Sequence, residues 1–166
     1  MLPNILVLVG ASFVPMVLGY IWFHPVLFGG ETWYDLAKLQ GNDRSDVSTV
    51  KLLSTMILNF LIAFGLYNLV VHQFANFSVV GGDMELLKTG TSAAYLNEYG
   101  STFQTFKHGA FHGLMPGTLL FVVPVLGYVT IFEKKSFKYF LVYLGYWAIS
   151  LALMGGILCQ WGPIPL

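Results

Sequence analysis

Uncharged, mostly apolar residues fill four long stretches of the chain, approximately Pro3 to His24, Leu52 to His72, Gly109 to Phe132 and Tyr139 to Trp161, and the charged residues lie almost entirely between them. Each stretch is long enough to cross a hydrocarbon core of about 30 Å at about 1.5 Å per residue, which takes roughly 20 residues. Backbone groups in lipid must pair within their own segment, and ten-residue alternating patterns are missing, so these are helices rather than barrel strands. The pattern predicts an all-α fold: an integral membrane four-helix bundle, forming one transmembrane domain over residues 1–166, with a long outer connection between helices two and three at residues 73–106.

The connections differ in kind. The first is polar from Glu31 on; Asn42-Asp43-Arg44-Ser45-Asp46 reads as a solvated turn, and Ser48 or Thr49 is available to cap the second helix. The third, Glu133-Lys134-Lys135-Ser136, is a tight turn that makes helices three and four antiparallel neighbours. The second is too long for a plain turn. Within it Leu96, Tyr99, Phe103 and Phe106 recur at three or four residues, which fits an amphipathic helix on the outer surface, an outward extension of helix three, or an aromatic-rich loop at the headgroup level. Asn76-Phe77-Ser78 matches a glycosylation sequon close to the membrane.

The basic residues set an expected orientation. Lys38, Arg44, Lys51, Lys134, Lys135 and Lys138 fall in the first and third connections, against Lys88 and Lys107 in the second. That bias places the two basic connections in the cytoplasm and both termini outside it.

Composition narrows the class. With 56% hydrophobic and 10% charged residues and a mean hydropathy of +0.70, the chain falls outside the soluble range, where about 25% of residues are charged. Net charge is zero and no basic block is present, so nucleic acid is not a partner to expect. The first stretch has no Lys or Arg before it and no convincing small-x-small cleavage site, and reads as a retained helix rather than a secretory signal. The single cysteine, Cys159, allows neither an internal disulfide nor a Cys-based metal motif.

Candidate chemistry is concentrated in the run from His108 to Gly117, His-Gly-Ala-Phe-His-Gly-Leu-Met-Pro-Gly. Gly109, Gly113 and Gly117 form a small-residue ladder on one face of helix three, and Ala148, Ala152 and Gly156 repeat the spacing on helix four. In lipid such ladders mark where backbones touch, within a bundle or between protomers. Pro15, Pro116 and Pro124 interrupt helices one and three and free the carbonyls of Ala11, His112 and Leu120. Freed carbonyls of this kind sometimes line a transport site. His108 and His112 lie one turn apart, a spacing that offers two imidazoles to one metal ion, and His72 at the end of helix two falls at the same outer level. The acids available on that side to orient the rings are Asp83 and Glu98. No Asp, Glu, Lys or Arg lies mid-span, which disfavours proton-coupled carriers and ion pumps. Asn59 and Asn68 are the deeper polar groups of helix two, with hydrogen bonding between helices as their default role. No Ser-His-Asp order, phosphate loop or paired carboxylate is visible, so the chain does not read as an enzyme.

At the end of helix one the run Gly19-Tyr20-Ile21-Trp22-Phe23-His24-Pro25-Val26-Leu27-Phe28-Gly29, followed by Trp33, resembles the opening motif of a small bacterial four-helix membrane family catalogued as domain of unknown function 1761. Phe132-Glu133, Gly145-Tyr146-Trp147 and Gly155-Gly156-Ile157-Leu158 through Trp161 match the family's aromatic and Gly-rich final helix. The chain departs from the family pattern in the long connection from Gln73 to Phe106 and at His24. The resemblance implies fold and membrane location and no activity. Physically, Trp22, Pro25, Phe28 and Trp33 suit an interfacial anchor, with rings at the inner headgroup level and a proline that turns the chain out of the membrane.

The functional expectation is therefore a multi-pass bacterial inner-membrane protein that acts by association, as a homo-oligomer or an accessory subunit of a larger membrane complex. Its expected partners are lipid and other membrane subunits, and no cofactor beyond lipid is called for. The alternatives are a transporter or channel for a small neutral or hydrophobic solute, and a metal- or haem-binding protein using His72, His108 and His112.

Overall fold

The computed structural model describes residues 3–24, 30–37 and 48–163, and among them helices alone carry the architecture. The first span is α1 (Ile5–Ser12) followed by α2 (Val14–Trp22), and a short α3 covers Gly30–Ala37. The second span is α4 (Thr49–Val70). The connection after it holds α5 (Gln73–Val79), α6 (Met84–Leu87) and α7 (Gly90–Tyr99). The third span runs from Phe106 to Phe132 as α8 (Phe106–His112), a π-helical stretch (Gly113–Val122) and α9 (Val123–Phe132); the fourth is α10 (Phe137–Trp161). Four helical segments among the described residues are thus long and apolar enough to cross a membrane.

Local chemistry explains where these elements begin and bend. Ser48, Thr105 and Ser136 cap α4, α8 and α10, their hydroxyls accepting from the amides of Lys51, His108 and Tyr139 at 3.3, 3.3 and 3.1 Å. The first span breaks at Phe13, and Pro15 falls in the first turn of α2, where a missing N–H costs no helical bond. Pro124 holds the same place in α9. Pro116 is the one interior proline, and it lies inside the π-helical stretch. There each amide reaches the carbonyl five residues back, so the His112 carbonyl that Pro116 leaves without its α-helical donor takes the Gly117 amide instead.

Two expectations about these elements are corrected. Leu96 and Tyr99 lie on α7, but that helix stops at Gly100; Phe103 sits in a turn, and Phe106 opens the third span behind its Thr105 cap. One continuous amphipathic helix does not form. His72 also does not close the second span, whose helix ends at Val70 with Val71 as its cap; His72 is the residue on which α5 begins.

Span α10 is central, packing against each of the other three spans. Beside α1 and α4 it buries Leu8, Ala11, Ala63, Leu66, Tyr67, Leu151, Met154 and Leu158. Beside α8 the approach is closer. The carbonyls of Gly155 and Leu151 lie where a side chain on Gly109 or Gly113 would start, and the Gly109 carbonyl occupies the corresponding place at Gly155. Ala152 contributes its Cα to the Gly113 contact, while Gly156 makes room for the Phe106 ring, 2.5 Å from where a Cβ would be. Gly117 is less tight, facing Leu151 and Leu66 side chains at 3.6 Å. The contact line on α10 therefore runs through Leu151, Ala152, Gly155, Gly156 and Cys159; Ala148, half-buried, does not appear in it. Without a hydrophobic force between helices in lipid, van der Waals contact at this distance holds the two spans together.

Gly113 and Gly127 share one span but differ in surroundings, since nothing lies within 4 Å of a Cβ on Gly127. Gly113→Ala should lower stability by about 1–3 kcal/mol through overpacking, whereas Gly127→Ala should leave it unchanged or raise it by up to about 1 kcal/mol through helix propensity. Thermal denaturation of both variants in mild detergent separates these effects, and equal behaviour would remove the close approach from the account.

Candidate metal centre

Three of the four histidines meet at the end of the bundle where the second span hands over to its connection. His72 stands two residues past the end of α4, in helical conformation at φ −61° and ψ −27°. Beside it, Gln73 is buried and donates from Nε2 to the Gly100 carbonyl, which ties the start of α5 to the end of α7. His108 and His112 stand on α8. That helix is fixed at its first turn from the side of α10: Gln160 Oε1 accepts from the Phe106 amide at 3.0 Å, and Cys159 Sγ donates to the Phe103 carbonyl at 3.3 Å. Gly109 and Gly113 then press one face of α8 onto α10. The histidines lie about 100° round the helix from those glycines, which turns both rings toward His72 on the α4 side.

The rings are in mutual contact. His72 and His108 have centroids 5.0 Å apart, His72 and His112 4.8 Å, and His108 and His112 4.5 Å. His72 Nε2 lies 2.9 Å from His108 Nε2, a hydrogen bond in which one ring donates and the other accepts. One nitrogen from each ring lies within 4.8 Å of the other two. Phe103 stacks on His108 at 5.0 Å, and Phe111 meets His112 edge-on at 5.7 Å.

A tetrahedral ion with bonds of about 2.0–2.1 Å holds its imidazole nitrogens about 3.3 Å apart. The longest separation must therefore contract by about 1.5 Å for all three rings to bind one ion, a movement within reach of side-chain torsions. Imidazole suits zinc, copper, nickel and cobalt. Haem fits less well, because rings already in contact leave no slot between them for a porphyrin plane.

The acids expected to support the rings are engaged elsewhere. Asp83 Oδ1 caps α6, accepting from the amides of Glu85 and Leu86 at 2.8 and 3.1 Å, and Glu98 pairs with the Tyr99 hydroxyl. Among the described residues no carboxylate or thiol joins the cluster. The fourth histidine, His24, lies at the other end of the bundle against Tyr20, with ring centroids 6.0 Å apart.

Two of the residues expected to form an interfacial anchor, Trp22 and Trp33, lie at that other end. Trp33 on α3 donates from Nε1 to Tyr143 Oη at 2.9 Å, and Phe23 packs between Trp33, Tyr143 and Tyr146 at 4.9, 5.4 and 5.0 Å. The Trp22 ring lies 3.1 Å from where a Cβ on Gly145 would be. Pro25 and Phe28 fall outside the described residues. Tyr146 belongs to the Gly145-Tyr146-Trp147 match, whereas the signal for Tyr143 is only its spacing with Tyr139, whose ring lies tilted at 4.6 Å. Gln73, Thr105 and Gln160, which fix the backbone under the histidines, carried no sequence signal at all.

No curated protein and no solved structure matches the chain significantly. The family model described as "Protein of unknown function (DUF1761)" matches residues 6–159, and the chain belongs to that family.

Proposed function

We propose that this protein is a multi-pass bacterial inner-membrane protein that binds a transition-metal ion through His72, His108 and His112 on the outer face of the membrane. The observation that carries the reading is the convergence of two imidazoles on the third span with one just beyond the second, each offering a nitrogen within 4.8 Å of the others. Among the described residues no carboxylate joins the three rings, and the one hydrogen bond between His72 and His108 leaves the facing nitrogen of His112 available to an ion. The outer location is supported by the excess of Lys and Arg in the connections at the opposite end.

The features behind the other readings have local explanations in the fold. Two of the three prolines fall in first turns and the third in a π-helical stretch that re-pairs the carbonyl it frees, so broken helices give little support to transport. The ladder face of α8 is filled by α10 of the same chain and offers no ready interface to another subunit.

Apo protein stripped with chelator should take up one equivalent of Zn(II), Co(II) or Cu(II), and cobalt should show the intense visible bands of a four-coordinate site. Loss of a group that merely orients a ligand costs about 10–100-fold in affinity, so His72→Ala, His108→Ala and His112→Ala should each cost about 100-fold or more. His24→Ala should change nothing. Calorimetry that finds no stoichiometric uptake, or equal losses in the His24 variant, would sink the proposal.

Orientation has its own test. In a Cys159→Ala background, Ser78→Cys, on an exposed position of α5, should react with a membrane-impermeant maleimide on intact spheroplasts, and Lys134→Cys should react only after lysis. The reverse pattern would place the histidines in the cytoplasm.

A further inference from the structure

The histidine cluster supplies three ligands, all neutral, and a divalent ion held by them keeps both its full charge and an open position. Closed structural sites complete the set with a fourth protein ligand, commonly anionic. Here Cys159 is buried with its sulfur turned to the Phe103 carbonyl, Asp83 is spent on capping α6, and Glu98 is paired with Tyr99. These groups supply no anionic fourth ligand, so the open position is left to water or to an anion from outside the described residues.

Depth in the membrane says which anion is at hand. His72 stands two residues beyond the last residue of one span, and His108 lies in the first turn of the next. Ligands at both positions lie where hydrocarbon gives way to headgroups, the level at which phospholipid phosphates sit. The flanking surface is apolar: Phe103 and Phe111 are each 57% exposed while touching His108 and His112, and Leu114 and Met115 continue the exposed face inward. Acyl chains cover such a face and hold a headgroup above it. Lys107, exposed and next to His108, adds a positive charge for a phosphodiester. Resting on the metal-binding reading, the geometry points to a phosphate oxygen as the fourth ligand, supplied by the headgroup of a bound phospholipid. Phosphate oxygen binds as an anion without proton transfer, so no bond is broken and the net charge at the ion falls by one.

Cu(II) serves as the probe, because its electron spin reports both imidazole nitrogen and phosphorus nuclei. Delipidated protein is loaded with Cu(II) and measured by pulsed electron paramagnetic resonance in three settings: nanodiscs of phosphatidylcholine and phosphatidylglycerol, dodecyl maltoside alone, and dodecyl maltoside with inorganic phosphate. The expected result is three-imidazole coupling in all three settings and a directly bound phosphorus coupling in the nanodiscs, absent in detergent alone. Phosphorus coupling that appears only with inorganic phosphate in detergent, and not in nanodiscs, overturns the lipid source in favour of free phosphate. Imidazole coupling without phosphorus in any setting overturns the phosphate ligand and leaves the metal site standing. No copper binding in any setting overturns both.

Discussion

The contact of α8 with α10 through Gly109, Gly113 and Gly155 is the constraint on which the candidate site depends. Three atoms of main chain, the carbonyls of Gly109, Leu151 and Gly155, occupy space that any side chain would need. Lipid gives helices no hydrophobic reason to associate, so an approach this close is what fixes their relative rotation. Once Gly109 and Gly113 face α10, the positions one residue before each of them, His108 and His112, must face the side on which α4 ends. The helix face that carries the two imidazoles is therefore set by the glycines beside them, and His108 adds its hydrogen bond to His72. Gln160 and Thr105 complete the arrangement by satisfying the first amides of α8, which fixes where the helix starts along α10.

The same seam accounts for the change of register below it. A straight α-helix carried past Pro116 would leave the His112 carbonyl without a donor in a region with no water to replace it. Widening to the π register restores the bond from Gly117 and keeps the span continuous between α8 and α9. It also loosens the ladder: Gly117 meets side chains of Leu66 and Leu151 rather than backbone, so the tight contact ends after Gly113. Tight packing is thus confined to the half of the span that carries the histidines.

Much of this was legible in the residues, and the limits have physical causes. The four spans follow from uncharged length, the α9–α10 turn from its few residues, and the cap on α4 from Ser48. The His108–His112 pair follows from helical spacing, and the nearness of His72 from topology alone. Small side chains are the visible sign of close packing, and of Ala148, Ala152 and Gly156 the last two do meet the third span. What faces Gly113 is the carbonyl of Leu151, a main-chain atom available at any residue type, so no scan of side-chain size would find it. Pro116 announces a missing donor but not how the backbone absorbs the loss. The bond from Trp33 to Tyr143 joins positions 110 residues apart and depends on how α3 lies against α10, which short motifs do not encode.

Metal loading would not strain the three ligands equally. Without an ion, the His72–His108 hydrogen bond occupies two ring nitrogens, so the empty cluster is partly satisfied and an ion must displace that bond. His108 and His112 ride on a helix clamped to α10, and their separation along it is set by one helical turn. His72 is exposed and sits between the end of α4 and the start of α5, where Val71 is buried, the Ala75 amide donates to the His72 carbonyl at 3.0 Å, and Gln73 reaches Gly100. Contraction to bonding distance must therefore come mainly from His72, and any backbone share of that movement passes to α5 and, through Gln73 and the pairing of Asn76 with Ser92, to α7.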